Sequence, residues 1–368
     1  MNVLVLTPGG ANLKFSLFGS ARRAALCSGA HGGYFTEAPD VAAVLQRVRE
    51  ECNLTGSTPD LLAMPVPYGG ETFKRAAVVD ATVLDNLHEL LPFSPMHLPQ
   101  VLMLLEAARE VFPETPAVLT FGTSFFVDLP LREQRYGLDR EQVPWLRRFA
   151  YQGLYHQAAC EHVLRKRRAK EQVDAQPRIL SICLENQPEA AAIIGRRPVM
   201  VTSGATPLEG LPGSTSCGEL DGGIVLSLAQ QLSWGPEQIN RVLTQESGLL
   251  GLVGRPTNLK EVFSSTAADV QLARQVMEYR LLLAAGSAAA AMGGLDVIIF
   301  SGRWATVGQA LGPHLVASLP ASRAAHAHEV AWRCLRTPLA RIVADLACAQ
   351  ALATRRQSRQ RIGSRAMP

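Results

Sequence analysis

Four groups of residues in this chain have types and spacing that could do chemistry. Lys14 stands just beyond the glycine turn at residues 7–12 (TPGGAN), where an open backbone can approach an anion and an ammonium can neutralise it. Residues 165–170 (RKRRAK) form a basic run beside a loop; without aromatic interleaving or a nucleic-acid motif, it reads as a solvated face. His326, His328 and Glu329 (HAHE) lack the HExxH spacing that aims two imidazoles from a helix at one zinc, so no metal site is assigned. The fourth group is the glycine-dense segment from Gly204 to Leu252, which contains GATPLEGLPGSTSCGELDGG and, some twenty residues later, LTQESGLLGL. Neither a Walker A motif nor GxGxxG occurs.

Apolar periodicity supplies the elements that must position these groups. Residues 2–6 read as a strand and 13–18 as its hairpin partner, with the glycine turn between them. Val41, Val44, Leu45 and Val48, at spacings of three and four, predict a helix over residues 39–51. An apolar strand follows at 61–66, then amphipathic helices at 80–91 and 98–112 and a buried strand at 117–121 ending at Gly122. Further strands are expected at 178–184, 200–202 and 295–300, with helices at 236–244 and 269–292. Mixed strands and helices over two halves indicate an α/β protein without a short tandem repeat.

Composition sets the outer limits. With 368 residues, 47% hydrophobic and 18% charged, the chain is globular and long enough for two domains. Its formal charge is only +4, and much of that comes from Arg355, Arg356, Arg359, Arg361 and Arg365, so neither a nucleic-acid nor a membrane partner is expected. Seven cysteines without CxxC spacing fit reduced, small buried side chains in a cytoplasmic protein. The apolar run at 2–6 is too short for a signal peptide and lacks a basic flank, and Gly293, Gly294 and Asp296 break the apolar stretch at 281–300, so no membrane span is read.

From the first strand to about Leu346, the order and spacing of several segments resemble acetate kinase and its relatives, the acetate and propionate kinase family. LTPGGANLKF resembles the family's NxGSSSLKF, MPVPYGGETF its HRxVHGGxxF, and FSPMHLP its FAPLHNP. FGTSFF stands for FDTAFH, RRFAYQGLYH for RRYGFHGTSH, LSICLENQ for xxCHLGNG, and IIFSGRWATV for VVFTGGIGEN. The resemblance implies a two-lobed α/β fold of the actin-like ATPase, sugar kinase and Hsp70 superfamily, with ribonuclease H-like lobes. It implies an N-terminal lobe over 1–128 completed by a C-terminal helix at 341–354, and a second lobe over 129–340 that carries the interface of a homodimer. Residues 355–368 are left as a basic flexible tail. ATP and Mg2+ are the implied cofactors, and acetate or another small carboxylate is the implied substrate.

Carried over position by position, the same resemblance implies that the charged groups are gone. Pro65 and Ser216 stand where the family has its two arginines, Gly122 where it has a catalytic aspartate, and Gln152 where a histidine contacts the transferring phosphoryl group. Thr7 replaces a metal-positioning asparagine, and Leu339 and Ala340 replace an acidic pair that helps hold magnesium. No catalytic residue is assigned; His97 is a vestigial substrate contact or a structural histidine. The residues implied to face a nucleotide are Lys14, Asn186, Lys260 and Gly302, with Asn258 and Lys260 in place of an aspartate and an arginine. LENQP replaces a glycine-rich LGNGG, so Glu185 brings a negative charge and Pro188 lacks an N–H, while Arg303 and Trp304 crowd the adenosine loop. The expectation is a pseudoenzyme of this family; the alternative is an active ATP-dependent acetate, propionate or other short-chain acyl kinase with a rebuilt site.

Overall fold

A computed structural model describes the chain except for residues 10–11, 20–23, 33–37, 96, 170–175, 320–329 and 366–368. His326, His328 and Glu329 therefore lie outside the described residues. The chain forms two compact units, Met1–Val127 with Pro338–Pro368, and Asp128–Thr337.

The first unit is a six-stranded sheet of β1 (Asn2–Pro8), β2 (Asn12–Gly19), β3 (Cys27–Gly32), β4 (Leu61–Val66), β5 (Ala77–Val78) and β6 (Ala117–Phe121), in the order β3-β2-β1-β4-β6-β5. β1, β2 and β3 are antiparallel, whereas β1, β4 and β6 run parallel. All six residues of β4 (LLAMPV) are buried, as a continuous apolar run requires when a parallel strand is covered on both faces. The covering elements are α1 (Ala38–Leu54) and α3 (Leu98–Val111), which pack on each other, and a C-terminal helix, Leu339–Arg365, which packs on β1, β4 and β6. Between β5 and α3, the Asp80 carboxylate caps α2 (Ala81–Glu89) by accepting from Val83 N–H at 2.8 Å.

The second unit is a five-stranded sheet of β7 (Arg178–Cys183), β8 (Glu189–Ile194), β9 (Arg197–Val201), β10 (Val297–Ser301) and β11 (Ala331–Cys334), in the order β11-β10-β7-β8-β9. Its helices are α4 (Leu131–Gln134), α5 (Gly153–Arg168), α6 (Gly222–Gln231), α7 (Pro236–Gln245), α8 (Gly248–Val253), α9 (Leu259–Ser264), α10 (Ala268–Met292) and α11 (Gly308–Ser318). α10 packs on β8 and β9 through small residues, among them Ala284, Ala285, Ala288 and Ala289, and it ends at Gly293 with φ 67°, the left-handed helix stop that favours glycine.

The two sheets share one topology. Reading from the far antiparallel strand, β3-β2-β1-β4-β6 and β9-β8-β7-β10-β11 both follow a three-stranded meander with a crossover to two parallel strands. No sequence repeat of short period announces this, because the repeated feature is the connection pattern.

The described elements correct the sequence expectations in several places. β3 and β8 were missed, and α5 extends through Arg165–Arg168, so the basic run is the last turn of a helix, where cations complement the carbonyl end. The C-terminal helix, expected over 341–354, runs from Leu339 to Arg365. Only Cys52, Cys160 and Cys183 of the seven free cysteines are buried; Cys27, Cys217, Cys334 and Cys348 are half-buried. No helix among the described residues is long and apolar enough to cross a membrane.

Candidate functional site

Open α/β sheets take ligands outside the carboxyl ends of their parallel strands, because the connecting loops and helix N-termini present backbone N–H groups there. In the second unit, β7 and β10 end side by side, Cys183 beside Ser301. Gly302 follows at φ 90°, and a side-chain carbon there would stand 2.7 Å from the Leu184 carbonyl oxygen. Trp304 N–H donates to that same oxygen at 2.9 Å, and Leu184 N–H donates to Ser301 O at 2.8 Å, which ties the two loops together. Asn186 is exposed, and its carbonyl accepts from Ser214 N–H at 2.6 Å. Lys260 is exposed on α9, which packs on the 3-10 turn Ala305–Val307 after Asn258 accepts from Glu261 N–H at 3.1 Å to cap it. Asn186, Gly302 and Lys260 therefore share one end of this sheet.

Two carboxylates already hold donors at that end. Glu185 Oε1 accepts from Arg303 N–H at 2.8 Å and from the Tyr155 hydroxyl at 2.7 Å, and Glu185 Oε2 lies 3.7 Å from Arg303 Nε. Burial, and next the charge of Glu185, push the Tyr155 pKa far above the ordinary phenol value, so the hydroxyl remains a donor. Glu189, the fully buried first residue of β8, accepts from the N–H groups of Tyr151 at 2.9 Å and Gln152 at 3.0 Å where α5 begins. Its Oε1 also lies 3.2 Å from His156 Nε2, and His156 Nδ1 shares a 2.7 Å hydrogen bond with Ser181 Oγ. Burial alone would raise the Glu189 pKa; contacts from His156, Ser203 and Tyr151 outweigh it and hold the carboxylate below its ordinary value. Helix N-termini leave backbone donors without intrahelical partners, and here Glu189 takes the N–H of the cap residue Gln152 and of Tyr151 just before it. Gln187 Nε2, Ser214 Oγ and Trp304 Nε1 are out of solvent and make no hydrogen bond among the described residues.

In the first unit, Lys14 is exposed on β2 directly across from Thr7 on β1, beside the turn in which Gly9 N–H donates to Asn12 O at 2.9 Å. Pro65 is buried in β4 beyond the stretch paired with β1, which ends at Ala63, so its missing N–H falls outside that pairing. Gly122 N–H donates to Val66 O at 2.8 Å and continues the β4–β6 ladder, while Gly69 N–H donates to Thr123 Oγ1 at 3.0 Å. His97 precedes α3 without a side-chain capping bond; it is exposed, and partial desolvation by its neighbours lowers its pKa. Among the described residues, no hydrogen bond or ion pair joins it to Lys14.

The segment around Gly204–Leu252 is held by local pairing. Arg148 binds Glu209 at 2.6 Å and donates to the carbonyls of Thr202 and Ser203 at 3.2 and 2.9 Å, and the Tyr136 hydroxyl donates to Glu209 at 2.5 Å. Ser216 is buried in the turn in which Gly213 N–H donates to its carbonyl at 2.9 Å. A side-chain carbon on Gly213 would lie 2.8 Å from Asn186 O, so this turn packs directly on the loop after β7.

The sequence model of the Acetokinase family matches residues 36–310. The chain belongs to the acetokinase family. It is 31% identical over 242 residues to the acetate kinase of Syntrophobacter fumaroxidans, a match covering 64% of this chain and 58% of that protein's length. Among solved structures, the acetate kinase of Porphyromonas gingivalis superposes with a TM-score of 0.79 at 21% identity over 95% of this chain and 99% of that one. A propionate kinase from Francisella tularensis gives the same TM-score, 0.79, at 20% identity, covering 93% and 98% of the two chains. At such identities the superpositions speak for the fold, and the fold is the α/β, two-sheet fold of the acetate kinases.

The sequence pointed to Glu185 but not to Glu189, Tyr155 or the His156–Ser181 contact. The available signal was a lone carboxylate opening the apolar run EAAAII, since a charge in a buried strand must have partners. Replacing Glu189 by Ala should cost about 3–5 kcal/mol, the usual penalty for breaking a buried pair, as read by denaturant unfolding. Because the folded pKa of Glu189 lies below its ordinary 4.5, its contribution is present above that pH and is lost as the pH falls through the folded value. The acid loss of stability below pH 4.5 should accordingly be shallower in Glu189→Gln than in the parent protein.

Proposed function

We propose that this acetokinase-family chain is a carboxylate-kinase homologue with little or no acetate kinase activity, a pseudoenzyme that keeps the fold of an ATP-dependent phosphotransferase. The observation that carries this reading is what stands at the four positions where the family resemblance implies catalytic charge. Pro65 and Gly122 serve the β4–β6 ladder, Gln152 offers its backbone N–H to Glu189, and Ser216 is packed in a turn. Transfer of a phosphoryl group to a carboxylate brings anions together, so the site needs cations and a bridging metal. One transition-state arginine is worth about a thousandfold in rate, and although such losses do not add, a single one is severe. ATP and Mg2+ are the ligands of the family's reaction, but the residues of the β7 loop do not fit a triphosphate, because Glu185 and Pro188 stand where phosphate would need donors.

One observation favours the alternative of an active short-chain acyl kinase. Lys14 is exposed beside a glycine turn and makes no ion pair or hydrogen bond among the described residues, as a retained phosphate contact would. A hydroxamate-trapping assay for acetyl phosphate from acetate and Mg-ATP distinguishes the readings. The expected result is background; turnover of a few per second that disappears in Lys14→Ala would overturn the pseudoenzyme reading.

A homodimer built through the second unit is part of the same proposal. α6 has no buried residue, and its Ile224 and Leu226, with Leu232 just beyond it, are exposed, as are Leu272, Tyr279 and Leu283 of α10. Apolar faces of this kind persist without catalytic charges because interfaces depend on packing. Light scattering at micromolar concentration should give about twice the 39.7 kDa chain mass, and Leu226→Glu should shift the protein toward a single chain. A parent mass near 39.7 kDa would reject the dimer.

A further inference from the structure

We propose that Glu185 and Glu189 are built-in anions that fill the donor clusters at the ends of β7 and β10 and so determine that this site excludes phosphate. The inference rests on the reading above and adds its physical cause: beyond lacking cations, the site supplies its own negative charge to the groups that would otherwise seek it.

Two general anion-attracting features meet here, a helix N-terminus and a backbone N–H that follows a glycine turn. Each already has a carboxylate of the chain beside it. Just before α5, Glu189 accepts from the N–H of Tyr151 and of the cap residue Gln152. After Gly302, Glu185 accepts from Arg303 N–H together with the Tyr155 hydroxyl. A phosphate approaching the Arg303 N–H at the rim meets the Glu185 carboxylate at hydrogen-bond distance from that donor, with the buried Glu189 charge behind it, and like charges so close repel strongly where water is partly excluded.

The surrounding side chains point the same way. Gln187 Nε2 and Trp304 Nε1, on the same two loops, and Ser214 Oγ, in the turn that packs on one of them, are out of solvent with no hydrogen-bond partner among the described residues. Unpaired buried donors are uncommon in folded proteins, so Gln187 Nε2 and Trp304 Nε1 each have a hydrogen bond left to give beside the two carboxylates. The two carboxylates also differ in access. The Glu189 side chain is 1% exposed and is an integral part of β8 and α5, whereas that of Glu185 is 17% exposed and stands at the rim. Removing Glu185 would free Arg303 N–H and the Tyr155 hydroxyl beside the unpaired donors and leave the Glu189 core intact.

The test is calorimetric titration of the full chain with pyrophosphate, which carries no nucleoside, and with Mg-ATP. The proteins compared are the parent, Glu185→Ala, Glu185→Gln and Arg303→Ala, each first shown to unfold cooperatively near the parent temperature. The parent and Arg303→Ala should show no binding. Glu185→Ala should bind pyrophosphate at least tenfold more tightly than the parent's detection limit, and Glu185→Gln, which keeps an acceptor oxygen and loses only the charge, should also gain binding. Folded Glu185 variants as silent as the parent would overturn the inference and leave the pseudoenzyme reading standing. An equal gain in Arg303→Ala would overturn it too, by showing that crowding by the arginine excludes the anion. Parent protein that binds Mg-ATP as tightly as the variants would overturn both.

Discussion

A carboxylate removed from water stays ionised only if donors surround it, and Glu189 is the clearest instance in this chain. It is fully buried, its pKa is nevertheless lowered, and its partners are His156 on α5, Tyr151 and Gln152 just before that helix, and Ser203 beyond β9. The consequence is architectural. The carboxylate fixes where α5 begins relative to β8, and through Tyr155 on the same helix it sets the position of Glu185 and of the loop after Gly302. The end of the sheet that would face a phosphate is therefore organised around the protein's own negative charge.

This arrangement separates two properties that are usually inherited together. The fold of the acetokinase family depends on apolar strands, on small residues under long helices and on glycine stops, all of which are in place in both units. Chemistry depends on a few charged side chains held at strand ends, and under the proposed reading Pro65, Gly122, Gln152 and Ser216 stand at those positions in backbone and turn roles. Pro65 illustrates the change. A residue without an N–H and without charge is tolerated in β4 because the pairing with β1 has already ended at Ala63.

Much of the fold was legible in the sequence where periodicity was strong. The strand at 61–66, the helix at 98–112, the strand at 117–121 and the long helix ending at Met292 fall within a residue or two of β4, α3, β6 and α10. β3 was missed because CSGAHG has no apolar alternation and is held by its pairing with β2 and by α1 behind it. β8 was missed because its alanines carry little strand preference; its place is fixed by antiparallel neighbours on both sides. Glu185, Asn186, Lys260 and Gly302 were singled out by the family resemblance of the segments that contain them. Their grouping at one strand end, and the part played by Glu189, required the register of β7, β8 and β10. Arg148 and Glu209, far apart in the chain, prove to be partners of each other, a pairing no sequence pattern announced.

The most direct test of the central claim is ATP formation from ADP and short acyl phosphates, read by luminescence, because it detects transfer in the direction that needs no trapping step and covers substrates bulkier than acetyl. Acetyl, propionyl and butyryl phosphate should all give no ATP above the protein-free background. Sustained ATP formation from any one of them, abolished by Lys14→Ala in a folded protein, would contradict the account and show that the chemistry has been rebuilt in a form these residues do not reveal.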